Sequence, residues 1–179
     1  MPYLVAAVLA LGVLGLLNLL LTVGVVRRLR QLAAAPGALP PGLHGAMPPV
    51  GSTVADFSTT TVDGMTVSRH DLDDGTLVGF FSPGCDPCVA AVPTFATAAR
   101  TFPGGASRVI AVVAGTGEAG AAMVGELTPV ARVVVEPPGA PGMASAFGVT
   151  TFPTATLVDA DGRIRWSGPD AAALPVPVP

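Results

Sequence analysis

Residues 77–88 read LVGFFSPGCDPC, an apolar run that leads through a Ser-Pro-Gly turn to two cysteines separated by two residues. A short apolar run bounded by turn residues is typical of a buried strand, which we predict over residues 77–82. Apolar side chains then recur at helical spacing and predict a helix over residues 87–101. Cys85 and Cys88 are therefore expected where a strand ends and a helix begins.

The start of a helix is a place where a cysteine becomes reactive. Unpaired N–H groups and the positive end of the helix dipole favour the thiolate, which is the form that attacks disulfides. We therefore expect Cys85 to be the nucleophile and Cys88, one turn further on and more buried, to resolve the mixed disulfide. Pro87 suits the first turn of a helix, whereas the charge of Asp86 disfavours a thiolate beside it.

A C-x-x-C pair also occurs in zinc sites and as unreactive buried thiols. A structural zinc site takes about four ligands, and the usual partners of cysteine are here limited to His44 in a proline-rich stretch and His70 in a predicted loop. Packing cysteines do not concentrate beside proline at a strand-to-helix turn. Two cysteines in one motif also argue against a disulfide framework. We predict no metal and no cofactor beyond the redox-active disulfide of the pair.

The remaining apolar segments alternate in type, and two Asp-Gly pairs signal hairpin turns,. Besides the segments above, we predict strands over residues 57–61, 65–68, 108–114, 131–135, 154–159 and 163–166, and helices over residues 118–127 and 143–147. This order indicates an α/β fold whose mixed sheet has a parallel βαβ core and antiparallel edges.

The N-terminal segment has a different character. Residues 4–26 carry no charged side chain, and at about 1.5 Å per residue a helix of this length spans a hydrocarbon core. We predict a transmembrane anchor with a basic flank over residues 1–30, in contact with the bilayer from Leu4 to Val26. A cleaved signal peptide is the alternative, although its apolar region is shorter and follows basic residues.

The segments after the anchor are distinguished by composition and charge. Residues 31–50 are rich in Pro, Gly and Ala and predict a flexible linker, and residues 169–179 predict an extended proline-rich tail,. Residues 51–168 form the one predicted domain. From residue 51 onward, six arginines stand against twelve acids, a net charge of −6. Such a surface excludes nucleic acid as a partner, because phosphate binding needs a basic footprint.

Two further motifs connect the sequence with a known family. Residues 148–154 read GVTTFPT and residues 159–162 read DADG. Together with residues 77–88, they resemble the thioredoxin superfamily, and their spacing is similar to its TlpA-like, membrane-tethered branch. The apolar span, the Ala/Pro/Gly linker and the Ser-Pro before Cys85 resemble MauD-type accessory proteins of methylamine utilisation. The resemblance covers roughly residues 48–168 and implies a thioredoxin-like mixed sheet flanked by helices.

The resemblance also implies roles for single residues. Pro153 is the expected cis-proline that faces the dithiol. The backbone of Thr151 and Phe152 beside it is expected to pair with the substrate chain like an added strand. Four residues around the pair are expected to tune the site: Ser82, Gly84, Asp86 and Pro87.

Two positions depart from the family pattern. Many members have an aromatic residue where this chain has Gly84, which leaves the nucleophilic sulfur less shielded. Thioredoxin places a buried acid six residues before its first cysteine to help move the proton of the second thiol. That position is Gly79 here, so water or another group has to accept the proton of the second thiol. No other carboxylate is assigned to this role from the sequence.

These features predict a membrane-anchored thiol–disulfide oxidoreductase that acts on protein thiols and disulfides, in the direction of reduction. One alternative is a peroxiredoxin-like peroxidase, since Ser82 occupies the position of its hydroxyl, although Val78 replaces its proline. Another is an anchored maturation factor whose dithiol only holds a client. The resemblance places the domain outside the cytoplasm, where a membrane electron donor has to recharge it. Three arginines after the span oppose this by the positive-inside rule: Arg27, Arg28 and Arg30,.

Overall fold

The computed structural model describes residues 47–174, together with Gly12 and Gly15. Apart from these two glycines, the anchor predicted over residues 4–26 lies outside the described residues, as do most of the predicted linker and the end of the predicted tail. No helix among the described residues is long and apolar enough to cross a membrane.

Between residues 47 and 174, the chain forms seven strands and three α-helices. The strands are β1 (Ser58–Thr60), β2 (Thr66–Ser68), β3 (Thr76–Phe81), β4 (Val109–Ala114), β5 (Arg132–Glu136), β6 (Thr154–Val158) and β7 (Ile164–Gly168). The helices are α1 (Asp86–Arg100), α2 (Glu118–Leu127) and α3 (Met143–Ala146). Every strand and helix predicted after residue 50 is present, with ends that differ by at most two residues.

Five strands form the main sheet in the order β5-β4-β3-β6-β7, and β1 and β2 form a separate antiparallel hairpin. Strand β3 pairs in parallel with β4, and β4 in parallel with β5. On the other side, β3 pairs antiparallel with β6, and β6 antiparallel with β7. The prediction of two antiparallel edges is therefore wrong for β5. Helix α2 carries the chain back across the sheet, so that β5 starts at the same end as β4.

Both faces of the sheet are covered, which explains why β3 is buried at every position,. Phe81 points to a core cluster that it shares with α1 and α2, whereas Phe80 points to a second cluster with α3 and the β1–β2 hairpin. Successive side chains of a strand face opposite ways, so an uninterrupted apolar run serves both clusters. This double packing fixes the carboxyl end of β3, where the cysteine pair follows.

A short turn of 3-10 helix, Ala171–Ala173, closes the described part of the chain. The Asp170 carboxylate accepts a hydrogen bond of 2.9 Å from the Ala172 N–H and holds the start of this turn. Ala171 is buried in the core cluster of α1, and the half-buried Trp166 packs against the same cluster. The turn after the last strand and Trp166 within that strand thus both pack against this cluster.

Candidate functional site

The junction between β3 and α1 places the cysteine pair at the end of the sheet. The Cys85 N–H donates a hydrogen bond of 3.2 Å to the Ser82 carbonyl, which closes the turn after β3. Cys85 itself has extended backbone and precedes the first residue of α1. Its carbonyl accepts hydrogen bonds from the N–H groups of Cys88 at 2.9 Å and Val89 at 3.2 Å. The helix therefore begins directly after the first cysteine, one residue before the predicted start at Pro87.

The two thiols are unlike in exposure. Both cysteines are free, Cys85 is half-buried, and Cys88 is completely buried. A sulfur atom of a substrate can reach Cys85, whereas the surrounding core shields Cys88 from it. This asymmetry is what a mechanism with one attacking and one resolving thiol requires.

The two thiols also differ in protonation. Burial, followed by a side-chain hydrogen bond with Cys85, raises the pKa of the Cys88 thiol from 9.0 to about 12, although a backbone hydrogen bond at Ser82 acts in the opposite direction,. Cys88 therefore keeps its proton at neutral pH. It becomes a nucleophile only when a proton acceptor reaches it, or after Cys85 has been converted to a mixed disulfide.

The segment before β6 lies directly against the first thiol. The Cys85 thiol donates a hydrogen bond to the Phe152 carbonyl, with 3.5 Å between sulfur and oxygen. The Phe152–Pro153 peptide bond is cis, the isomer expected for it. The Thr151 carbonyl accepts a hydrogen bond of 2.7 Å from the Thr154 hydroxyl at the start of β6. The structure thus brings the dithiol and the three residues implied by the resemblance to one place.

The four predicted tuning residues surround the pair in different ways. Gly84, Asp86 and Pro87 are exposed, and Ser82 is half-buried. Asp86 and Pro87 are the first two residues of α1, where the missing N–H of proline leaves no helical hydrogen bond unmade,. A Cβ atom at Gly84 would have no heavy atom within 4 Å. An aromatic side chain at this position, as in many family members, would therefore meet no obstacle at its first atom.

Gly79 is enclosed, in contrast to Gly84. A Cβ atom at Gly79 would lie 2.5 Å from a ring carbon of Phe95 and 2.8 Å from a ring carbon of Phe81. The two rings pack edge to face with centroids 5.2 Å apart. The position where thioredoxin places a buried acid is filled here by aromatic carbon, so no carboxylate fits without displacing the core.

A buried carboxylate that was not predicted lies at the same end of the sheet as the dithiol. Glu136 ends β5 and is only 6% exposed. Its two oxygens accept hydrogen bonds from the N–H groups of Met143 and Ala144 at the start of α3. An acid at the carboxyl end of a buried strand, followed by Pro-Pro-Gly, is the signal that could have identified it, because sites collect at this end of an α/β sheet.

Glu136 borders a cavity of about 220 Å³. Ser82 and Phe152, which contact Cys85, also line this cavity. The rest of the wall is formed by Ala114, Pro137, Pro138, Gly139, Ala140, Ala144, Ser145 and Val149. The cavity therefore adjoins two residues that are hydrogen-bonded to Cys85, and Glu136 is the one ionisable side chain in its lining.

The zinc interpretation finds no further ligands in the described part of the chain. No group of three or more histidine, cysteine or acidic side chains within residues 47–174 could hold a metal ion. His70, predicted to lie in a loop, is in a 3-10 turn over Arg69–Asp71, which the Asp71 carboxylate holds by accepting a hydrogen bond of 2.8 Å from the Ser68 N–H. His44 lies outside the described residues.

A sequence profile of the family described as Redoxin matches residues 49–174. No curated protein sequence matches the chain.

Solved structures with a similar fold come from several Bacteroides species. The thioredoxin domain of a thiol–disulfide oxidoreductase from Bacteroides vulgatus is 19% identical, with a TM-score of 0.54 over 66% of this chain and 87% of that chain. A thiol–disulfide oxidoreductase from Bacteroides fragilis is 18% identical, with a TM-score of 0.53 over 65% and 89%. A putative protein disulfide isomerase from Bacteroides thetaiotaomicron is 17% identical, with a TM-score of 0.51 over 68% and 79%. These matches confirm the thioredoxin-like α/β fold with its mixed sheet.

Proposed function

The chain belongs to the redoxin family of the thioredoxin superfamily, and we propose that it reduces protein disulfides through Cys85 and Cys88. The observation that carries this proposal is the contact of 3.5 Å between the half-buried Cys85 thiol and the Phe152 carbonyl. A substrate chain laid against Phe152 would bring its own sulfur atoms to Cys85. The similar Bacteroides structures that are named as thiol–disulfide oxidoreductases support the same activity.

The reaction consists of two thiol–disulfide exchanges. The Cys85 thiolate attacks one sulfur of the substrate disulfide, which forms a mixed disulfide and releases the other substrate sulfur as a thiolate. The Cys88 thiolate then attacks the Cys85 sulfur, and the first substrate sulfur leaves as a thiolate. Two electrons pass from the dithiol to the substrate, whose thiolates take up two protons. An external dithiol has to reduce the Cys85–Cys88 disulfide before the next turnover.

The protonation of the resolving thiol favours the direction of reduction. A couple becomes more reducing when the protein does not stabilise its thiolates, because a stabilised thiolate favours the dithiol form. Burial raises the pKa of Cys88 to about 12, so this thiol gains no stabilisation as a thiolate at neutral pH,. We therefore expect a reduction potential nearer to that of thioredoxin, about −270 mV, than to the oxidant value of about −120 mV.

Insulin reduction with dithiothreitol as the electron source tests the activity. We expect turnover by the wild type, no turnover by Cys85→Ala, and a trapped mixed disulfide with Cys88→Ala. Turnover that survives in Cys88→Ala would overturn the two-cysteine mechanism. Equilibration with glutathione measures the potential, and a value above about −180 mV would contradict the proposed direction.

The same protein can be tested for the alternative activities. A peroxidase would consume hydrogen peroxide and would need the hydroxyl of Ser82, whose contact with Cys85 in the structure is made by its backbone carbonyl. A maturation factor that only holds a client would form the mixed disulfide without turning over. Peroxide turnover that Ser82→Ala abolishes would favour the first, and a stable wild-type mixed disulfide the second.

We also propose that residues 4–26 anchor the protein in the cell membrane with the domain outside the cytoplasm. The uncharged length of this segment supports the anchor, and the resemblance to membrane-tethered proteins supports the orientation,. In that position, a membrane electron donor has to reduce the dithiol. An impermeant maleimide applied to intact cells should label Cys85, whereas protection of Cys85 until lysis would place the domain in the cytoplasm.

A further inference from the structure

The charges of the domain are distributed unevenly along the strands. All six arginines of residues 47–174 lie away from the carboxyl end of β3. Arg108 and Arg132 stand at the amino ends of β4 and β5, and Arg100 ends α1. The remaining arginines lie near the turn between β6 and β7, which is at the end of the sheet away from the dithiol: Arg69, Arg163 and Arg165. None of these six arginines therefore neutralises the end that carries the dithiol.

Four acids lie at the dithiol end. Asp86 begins α1, Glu118 begins α2, and Glu136 ends β5. Asp170 follows β7, whose last residue, Gly168, pairs with Ala155 of β6. Ala155 in turn pairs with Gly79 near the carboxyl end of β3, so Asp170 lies at the dithiol end. A substrate that approaches this end of the molecule meets a surface of one sign, which attracts cationic partners and repels anionic ones.

One of these acids is set apart by its burial. Glu136 is 6% exposed and borders the 220 Å³ cavity, whose other walls are mostly aliphatic or proline side chains. Each of its oxygens accepts one backbone hydrogen bond, from Met143 or Ala144. A carboxylate oxygen accepts more than one hydrogen bond, so each oxygen retains acceptor capacity beyond these backbone bonds.

We propose that this cavity binds a lysine or arginine side chain that lies within two positions of the substrate's reacting cysteine. This inference rests on the proposed function and specifies its substrates as disulfides in basic sequence. The aliphatic stem of such a side chain would pack on Pro137, Pro138 and Val149, while its cationic head reaches Glu136,. Ser82 and Phe152 line the cavity and are also hydrogen-bonded to Cys85. For this reason, we place the cationic residue of the substrate close in sequence to its reacting cysteine.

Neutral and acidic side chains fit the cavity less well. A carboxylate would be placed against Glu136 and within the same acidic end, where like charges repel. An aliphatic side chain would fill the space but add no donor to the two backbone N–H groups that already bond the buried Glu136 carboxylate,.

The test uses three short peptides, each with a single cysteine. The residues on both sides of this cysteine are lysine in the first peptide, glutamine in the second and glutamate in the third. The cysteine carries a 2-thiopyridyl disulfide, so reduction releases a coloured neutral thione. The kcat/KM of the full-length protein for each peptide is divided by the rate with dithiothreitol, a neutral reductant that corrects for intrinsic reactivity. We expect the lysine peptide to exceed the glutamate peptide by about tenfold at low salt, and less at 0.5 M salt.

Variants of the cavity decide whether Glu136 causes this preference. Glu136→Gln should reduce the ratio to about twofold, and Ala140→Lys, which places a cation in the cavity wall, should remove it. Ala140→Gln is the control for size. Glu118→Gln is the control for charge, because it removes an acid of the same end that does not line the cavity, and it should keep most of the ratio.

The outcomes separate this inference from the proposed function. Equal corrected rates for the three peptides would overturn the inference while leaving the reductase activity intact. A preference that persists in both Glu136→Gln and Ala140→Lys would also overturn it, since the charge would then act from elsewhere. If Glu136→Gln does not fold, the comparison of Ala140→Lys with Ala140→Gln decides. Failure to reduce any of the peptides or insulin would overturn the proposed function itself.

Discussion

The buried thiol of Cys88 links the redox state of the protein to its stability. Its pKa is raised from 9.0 to about 12 in the folded protein, so the folded state holds this proton between these values and the unfolded state loses it. Unfolding then releases a proton, and the free energy of unfolding falls as pH rises. Below pH 9 both states are protonated and this contribution does not change.

We therefore predict that the reduced protein loses stability above about pH 9, with a slope of up to about 1.4 kcal/mol per pH unit. Urea unfolding at several pH values between 8 and 10, with a reductant present, measures the slope. The oxidised protein has no thiol at Cys88 and serves as the control, as does Cys88→Ala. An equal slope in the reduced and oxidised proteins would show that other groups cause it.

A second prediction at the scale of single residues concerns the contact between Gly79 and Phe95. Because a Cβ atom at Gly79 would lie 2.5 Å from the Phe95 ring, Gly79→Ala should destabilise the protein by about 1–3 kcal/mol, and Gly79→Asp by more,. Phe95→Leu leaves a cavity by itself but makes room for the new methyl group. The double variant with Gly79→Ala should therefore be less destabilised than the sum of the single variants, and additive values from urea unfolding would contradict the clash.

At the scale of elements, helix α2 offers a matched pair of glycines. Gly125 is exposed, and a Cβ atom there would have no heavy atom within 4 Å, whereas at Gly120 it would lie 3.0 Å from the Gly115 carbonyl oxygen. Alanine restricts the unfolded chain and suits a helix better than glycine. We predict that Gly125→Ala stabilises the protein by about 0.5–1 kcal/mol and that Gly120→Ala gains less or destabilises. Thermal unfolding of both variants checks the difference, and equal gains would refute it.

The elements themselves were predictable because their patterns are local. The buried run of β3, the apolar spacing of α1 and the Asp-Gly turns each depend on neighbouring residues only. The direction of β5 was not predictable in this way, since it depends on how α2 returns the chain across the sheet,.

The candidate site likewise has residues that local motifs predict and residues that only the folded chain brings together. The cysteine pair and Pro153 stand in recognisable motifs, so the sequence identified them. Glu136 belongs to no motif, and its place beside Phe152 arises only when β5, α3 and the segment before β6 meet at one end of the sheet. The filling of the Gly79 position by Phe95 was hidden for the same reason, because the two residues belong to different elements.

At the scale of the whole molecule, the last described residues complete the core. Ala171 is 4% exposed and packs in the cluster of α1, whereas Ala172 is exposed. We predict that Ala171→Asp destabilises the protein by about 3 kcal/mol or more, because it buries a charge, and that Ala172→Asp changes stability by less than about 0.5 kcal/mol. Urea unfolding of both variants tests this, and a neutral Ala171→Asp would show that the turn does not seal the core.

The uneven placement of arginines and acids has a consequence for how the molecule orients itself. Four acids and no arginine of the described residues lie at the dithiol end, whereas the other eight acids are offset in part by six arginines, and this difference gives the domain a dipole along the strand direction,. Near an anionic surface, we expect such a dipole to turn the less negative end inward and the thiol outward. Rotational diffusion alone would present Cys85 in all directions, whereas this torque keeps it turned towards solvent, where soluble disulfides arrive.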